Sequence, residues 1–171
     1  IDSFDRVVRF NAAKIEGFEK DVGTKTTDLV INCHVYNGLD LKECGFESYE
    51  NNFLEKYSNI NVIYVNTNTP GRGRGTVPEN LDFYIMEKGY FDMTAHGPYK
   101  VGSIPTVGYA FIAHMVMNGI KPHIFGFSTP EDEWDHYYEK RPEPSVSHNQ
   151  DREKDLLKEM IKNNLIVNGA K

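Results

Sequence analysis

The sequence contains little cysteine, with only Cys33 and Cys44 among 171 residues. This pair matches neither a Cys-x-x-Cys metal pattern nor the dense disulfide framework of a small secreted domain. We expect buried or half-buried thiols and leave a single disulfide open. No run of ~18 apolar residues occurs, so the sequence predicts no transmembrane helix. Charges are spread over residues 1–20, which therefore do not resemble a signal peptide.

The chain has no excess of positive charge, because 25 Asp and Glu outnumber 19 Lys and Arg and give a net charge of −6. Nucleic acid and acidic membrane surfaces are therefore not expected as partners. The sequence has no Asp-x-Asp and no His/Asp/Glu cluster with metal-ligand spacing, so no metal ion or other cofactor is expected. A Gly-x-Ser-x-Gly elbow is missing, which disfavours a serine hydrolase. The glycines at 71–75 do not form the fingerprint of a dinucleotide-binding oxidoreductase.

The apolar and aromatic content, 39% and 12%, is sufficient for a globular core, and the length suits one domain over residues 1–171. Strands bounded by turn residues alternate with helical patterns, which predicts an α/β fold with a mostly parallel central sheet. The predicted strands are Arg6–Phe10, Asp28–His34, Asn61–Val65 and His123–Phe127. The predicted helices are Tyr49–Tyr57, Leu81–Lys88, Tyr109–Asn118 and Gln150–Asn163. Thr67–Pro78 and Thr129–Ser147 are predicted to be irregular loops.

Ser103-Ile-Pro-Thr-Val-Gly108 precedes a predicted helix that Gly119 would end. Free N–H groups at a helix start bind anions, Thr106 adds a hydroxyl, and Gly108 lets a ligand approach the backbone. The segment is therefore a candidate phosphate cradle. An ordinary capped helix has the same pattern and is commoner on spacing alone.

His148 lies in Ser147-His-Asn-Gln150, which fits a capping box with Ser147 as N-cap and His148 in the first turn. The positive end of the helix dipole would then favour a neutral imidazole, which a general base requires. Glu153 follows five positions later, but such a pair of residue types is common by chance.

The four-residue motif His136-Tyr-Tyr-Glu139 is expected by chance far less often than the His148 and Glu153 pair in a sequence of this composition. It lies in an irregular acidic stretch. Loops of this kind often carry functional side chains. Aromatic packing beneath the loop, by Tyr137 or Tyr138, is the alternative explanation.

In this order along the chain, these sequence motifs resemble the four sialylmotifs of the eukaryotic-type sialyltransferases, glycosyltransferase family 29. Asp5–Thr27 is similar to the C-terminal half of the long motif, and Pro105-Thr-Val-Gly108 through Phe127 is similar to the short motif. His136–Glu139 looks like the third motif, and His148 with Glu153 looks like the very short motif.

The resemblance implies a GT-A-like Rossmann sandwich and metal-independent, inverting transfer from a CMP-sugar to a glycan hydroxyl. It implies His148 as general base and His136 as the group that steadies the departing phosphate. Asn11, Thr106, Val107 and Gly108 would hold the CMP donor. Tyr137 and Glu153 would have supporting roles, with Glu153 positioning the very short motif.

The sequence departs from the family pattern in three places. The first strand and the Gly-Asn-Ser-type loop of the long motif are missing, and Val107 replaces a hydroxyl residue. Gly119 stands where animal members have the cysteine of their inter-motif disulfide. The missing disulfide favours a reducing, cytoplasmic compartment, and a Golgi lumen fits if an N-terminal anchor has been removed.

The first hypothesis is therefore a sialyltransferase that uses CMP-sialic acid. CMP-Kdo remains open as the donor, because both are acidic 2-keto sugars carried on CMP. A non-catalytic module of the same fold that binds CMP or a glycan is the alternative from another class. The acceptor glycan and the linkage are not determined by the sequence.

Overall fold

The structure is a computed structural model that describes residues 1–11, 13–32, 60–65, 83–86, 96–127, 134–136, 139–140 and 148–169. By their internal contacts the residues form two compact units, Ile1–Lys88 and Gly89–Lys171. The expectation of one catalytic domain stays a prediction. No helix in the described part is long and apolar enough to cross a membrane.

The first unit contains a four-stranded sheet in which every neighbouring pair is parallel. Its strands, in chain order and sheet order, are β1 (Val8–Phe10), β2 (Asp28–Asn32), β3 (Asn61–Val65) and β4 (Phe83–Met86). Leu29, Val30 and Ile31 of β2 are completely buried. A run of consecutive buried residues is typical of a strand covered on both faces of a parallel sheet. The α/β class with a parallel sheet is therefore confirmed.

The predicted helix at Leu81–Lys88 is wrong, because the structure has β4 there, paired with β3. Phe83–Met86 is a four-residue apolar run between Asp82 and Glu87. Such a short run does not distinguish a buried strand from a helical turn by periodicity, and pairing with β3 decides the outcome. A short helix that the sequence patterns did not predict, α1 (Glu19–Val22), lies between β1 and β2.

The second unit contains two longer helices, α2 (Val107–Met117) and α3 (Gln150–Lys162). Both predicted helices are thus confirmed within two residues. Helix α2 ends as predicted: Gly119 has a φ of 73°, and the N–H groups of Gly119 and Ile120 donate to the carbonyls of Val116 and Met115. This is the Schellman pattern, in which glycine accepts the left-handed conformation without steric cost.

The core of the second unit lies between α2, α3 and the segments that flank them. Leu156, Leu157 and Met160 form the buried stripe of α3, at the spacing of one helix face. They pack in one cluster with Val101, Tyr109, Ile112, Ala113, Ile124 and Ile166. Burying each large side chain contributes ~1.5–3 kcal/mol, so this cluster fixes α3 in the unit.

Short strands complete the second unit. β5 (His123–Ile124) pairs in parallel with β8 (Val167–Asn168). β6 (Trp134–His136) pairs antiparallel with β7 (Glu139–Lys140), so the stretch predicted to be irregular, Thr129–Ser147, contains a strand pair. The predicted helix Tyr49–Tyr57 and the predicted loop Thr67–Pro78 lie outside the described residues.

Candidate active site

His148 lies just before α3, and the predicted capping box at this point is wrong. Asn149 is the N-cap, because its side chain accepts from the N–H of Arg152 at 3.2 Å. Helix α3 therefore begins at Gln150, and His148 precedes the cap instead of lying in the first turn. Ser147 lies outside the described residues. Asparagine is as good an N-cap as serine, which explains why the N-cap lies two residues later than predicted, while the helix still begins at Gln150.

The orientation of the His148 ring is fixed by a backbone carbonyl. His148 Nδ1 lies 2.8 Å from the carbonyl oxygen of Ile104. A carbonyl oxygen only accepts hydrogen bonds, so Nδ1 carries the proton. In the neutral ring Nε2 is then the acceptor, which is the protonation state a general base needs. The side chain is half-buried.

Asn149 attaches the same segment to the residues before α2. Its N–H donates to Ser103 Oγ at 2.9 Å, and its side-chain nitrogen donates to the Val101 carbonyl at 3.3 Å. With the His148–Ile104 contact, these bonds hold residues 101–106 against residues 148–153. We call this set of contacts the clip.

Thr106 and Glu153 form the last contact of the clip. Glu153 accepts the backbone N–H of Thr106 at Oε1 and its hydroxyl at Oε2, each at 2.7 Å. Thr106 is the N-cap of α2, because its side chain accepts from the N–H of Tyr109. Glu153 is only 5% exposed. Burial raises the pKa of its carboxyl, and the hydrogen bonds from Thr106 offset only part of that rise.

The next two N–H groups of α2 remain available. Within the described residues, neither Val107 nor Gly108 donates its N–H to another group. Gly108 is half-buried and has no side chain that would cover these donors. Among the described residues, the helix start is thus capped by Thr106 and leaves the N–H groups of Val107 and Gly108 open to an anion.

Asn11 lies in the first unit, directly after β1. It has a φ of 50°, which is uncommon for a residue other than glycine and best tolerated by Asn and Asp. Its N–H donates to the Val30 carbonyl at 2.8 Å. Its Oδ1 is buried and has no hydrogen-bond partner among the described residues. An unpaired buried acceptor in a native structure requires an explanation, and a bound ligand is one.

Arg9 is a buried polar residue that no sequence motif indicated, and it holds the segment that leads into β2. It is 8% exposed, and its guanidinium donates to the carbonyls of Val22, Gly23 and Lys25 and to the Thr26 hydroxyl. The signal was the two-residue period of a strand: Val7 is buried, so Arg9 lies on the same buried face.

His136 is the last residue of β6, opposite Glu139 of β7. Only its backbone position is described, so its role stays a prediction. Tyr137 lies outside the described residues.

Known proteins similar to this chain are sialyltransferases. The model of glycosyltransferase family 29 (sialyltransferase) matches residues 1–66. A human CMP-N-acetylneuraminate-beta-1,4-galactoside alpha-2,3-sialyltransferase is 26% identical over 98% of this chain and 51% of its own length. A cattle beta-galactoside alpha-2,6-sialyltransferase 2 is 57% identical over 50% of this chain and 19% of its own length. The chain is therefore similar to sialyltransferases, and its first 66 residues match the model of that family.

A solved sialyltransferase structure has the same fold. The crystal structure of a mammalian sialyltransferase matches 97% of this chain and 60% of its own chain, with a TM-score of 0.65 and 21% identity. A second structure, of a mammalian sialyltransferase with Gal-beta-1-3GalNAc-ortho-nitrophenol, matches with the same TM-score. The chain spans about half the length of the curated alpha-2,3-sialyltransferases it matches.

The family match and the clip concern different parts of the chain. The family model covers Asn11 and the parallel strands β1 to β3 but ends before Thr106 and His148. The alpha-2,3-sialyltransferases match over nearly the whole chain, including both ends of the clip, at lower identity.

Proposed function

We propose that this protein transfers sialic acid from CMP-sialic acid to a hydroxyl group of a glycan, with His148 as general base. The observation that carries the proposal is the 2.8 Å contact between His148 Nδ1 and the Ile104 carbonyl. It leaves Nε2 as the proton acceptor and holds the ring beside the segment that leads into α2. A positioned base of this kind contributes ~10²–10⁴ in rate.

In the proposed reaction the acceptor oxygen attacks the anomeric carbon while its proton passes to His148 Nε2. The bond from the anomeric carbon to the phosphate oxygen breaks, and CMP leaves with the electron pair. The imidazolium that forms keeps its Nδ1–H bond to the Ile104 carbonyl, which stabilises the new positive charge. A single displacement inverts the anomeric configuration, as the resemblance implies.

The departing phosphate needs donors, and the start of α2 offers them. The N–H groups of Val107 and Gly108 lie at the positive end of the helix dipole, which stabilises a developing anion. We assign them to the CMP phosphate and assign His136, as a cation, to the same charge. In this proposal the charge of the phosphate is stabilised by these N–H groups and His136, so no metal ion is required.

Asn11 is assigned to the donor nucleotide. It follows a strand of a parallel sheet, and ligands of open α/β folds bind outside the carboxyl ends of such strands. Its buried, unpaired Oδ1 would accept an N–H or O–H of the nucleotide. We further propose that the parallel sheet belongs to a GT-A-like sandwich.

The acceptor class follows from the relatives. Their names specify beta-galactosides, and the ligand in the second solved structure is a galactose-containing disaccharide. We therefore propose a terminal galactose as the acceptor. CMP-Kdo is the alternative donor.

The test measures transfer to a beta-galactoside from CMP-sialic acid and, separately, from CMP-Kdo. We expect transfer with CMP-sialic acid and a loss of at least ~10²-fold in kcat for His148→Ala, since the base is removed. His96→Ala is the matched control, because His96 is exposed in the same unit. Near-wild-type activity of His148→Ala would refute the assignment of the base. Thermal protection by CMP without transfer from either donor would identify a non-catalytic module.

A further inference from the structure

Both hydrogen-bond donors of Thr106 are used inside the protein. The N–H and the hydroxyl each donate to a different oxygen of Glu153. The hydroxyl oxygen also accepts from the N–H of Tyr109 at 3.3 Å. Because a hydroxyl carries one proton, Thr106 retains no donor for a bound phosphate. The first open donors are therefore Val107 and Gly108, not Thr106.

Stability alone does not explain a carboxylate at position 153. Glu153 is buried beside Leu156 and Leu157 on the inner face of α3, and no ion pair joins it to Lys or Arg within the described residues. An apolar residue of similar size at such a position is often as stabilising or more so. A carboxylate provides direction instead, because its two oxygens fix both the N–H and the hydroxyl of one residue 47 positions earlier in the sequence.

Glu153 also belongs to the first turns of α3, directly after the residues that carry the proposed base. Its own N–H donates to the carbonyl of Asn149 at 3.1 Å, which is the first backbone bond of the helix. At the other end of the clip, His148 contacts Ile104, two residues before Thr106. The Glu153–Thr106 bonds thus set the distance from His148 to the start of α2.

We propose that Glu153 is a positioning residue for transfer, and that Thr106 acts as its partner and not as a donor contact. The inference rests on the proposed function, because it concerns the distance between the base and the phosphate-binding helix start. Glu153 touches neither substrate. It acts through Thr106, and its loss would let His148 drift from the acceptor hydroxyl.

Glu153→Gln is the main test, because it keeps the size of the side chain. Its amide can accept from only one of the two Thr106 donors, so we expect kcat to fall ~10–100-fold, as small misplacements of reacting groups do. The dissociation constant of CMP should stay within about 3-fold, because the Val107 and Gly108 donors remain in place. Glu159→Gln, on the exposed side of the same helix, is the matched control and should keep wild-type kcat.

Thr106 variants separate positioning from donor binding. Thr106→Ser keeps both donors and should retain most of kcat. Thr106→Val removes the hydroxyl and should lower kcat without weakening CMP. In the double variant Glu153→Gln with Thr106→Val, the losses should not multiply, because the two residues form one contact.

Three outcomes would overturn the inference. Wild-type kcat in Glu153→Gln, with only a lower melting temperature, would mean that the contact is purely structural. Weaker CMP binding in Thr106→Val but not in Glu153→Gln would mean that Thr106 contacts the donor. A wild-type protein that transfers no sugar would overturn the proposed function first and this inference with it.

Discussion

Replacing Asp28 by asparagine should destabilise the first unit, and the effect should depend on pH. Asp28 is completely buried at the start of β2. Its carboxylate accepts from both Nε and Nη2 of Arg6, from the Thr27 hydroxyl and from the Asn61 amide. These bonds connect the ends of three neighbouring strands, so the side chain stabilises the sheet where β1 to β3 begin.

The size of the effect follows from what asparagine can replace. Its amide oxygen keeps the bonds at one carboxylate oxygen, and the Thr27 hydroxyl can turn fully to the Val7 carbonyl at 3.1 Å. The amide NH₂ then faces a donor of Arg6, and the ion pair is lost. The Arg6 side chain is 68% exposed, so water compensates part of that loss. We expect about 2 kcal/mol of lost stability at pH 7, below the cost of breaking a fully buried pair.

The pH dependence provides the sharper test. Burial alone would raise the pKa of Asp28, but the Arg6 hydrogen bonds, the Thr27 and Asn61 bonds and the Arg6 charge outweigh it and lower the pKa. A lowered pKa in the folded state means stability that is present above the unfolded pKa, about 3.9, and lost as pH falls through the folded value. The difference between wild type and Asp28→Asn should therefore shrink below about pH 4.

The assay is urea unfolding followed by circular dichroism at several pH values from neutral to acid. Asp5→Asn is the matched control, because Asp5 is exposed in the same N-terminal segment. Equal stability of Asp28→Asn and wild type at neutral pH would refute the structural role. A difference that stays constant down to strongly acidic pH would refute the electrostatic explanation.

Two further predictions concern the residues around Asn11. Asn11→Gly removes the strain of a φ of 50°, so the free energy of unfolding should change by less than ~1 kcal/mol. CMP should bind about 10-fold more weakly, because the Oδ1 acceptor is lost. Unchanged CMP affinity by calorimetry would contradict the assignment of Asn11 to the donor nucleotide. Arg9→Met leaves three half-buried carbonyls without their donor and should cost about 3 kcal/mol in urea unfolding, whereas Arg9→Lys, which keeps a cation, should cost less. Equal costs for the two variants would contradict the role assigned to the Arg9 hydrogen bonds.

The sequence predicted the fold best where an apolar segment was bounded by clear turn or capping residues. Strand β3 was predicted residue for residue, and helices α2 and α3 were predicted within two residues. Each combines a clear apolar pattern with strong boundary residues, such as Gly119. The strand at Phe83–Met86 was missed because four apolar residues fit a helix turn and a strand equally well. Only pairing with β3, which is a long-range contact, distinguishes the two.

The site was predicted less completely, because its contacts join distant positions. No local pattern indicates that Glu153 bonds Thr106 across 47 positions, or that the Ile104 carbonyl orients His148 across 44. The N-cap of α3 was misplaced because Ser147 and Asn149 are both favourable caps, and the bond from Arg152 chooses Asn149. The sequence motifs contain His148, Glu153 and Thr106 but carry no information on how these residues are connected.

The partner of His148 is a backbone atom, and this determines which substitutions can disturb the proposed base. Replacing the Ile104 side chain leaves its carbonyl in place, so the orientation of the ring depends on the path of the chain at residue 104. That path is restricted by Pro105, which is buried and limits the preceding residue to extended conformations. Proline also fixes its own φ directly before the N-cap Thr106. The Ile104-Pro105-Thr106 segment therefore holds both the carbonyl that orients His148 and the N-cap of α2 in one stiff piece of backbone.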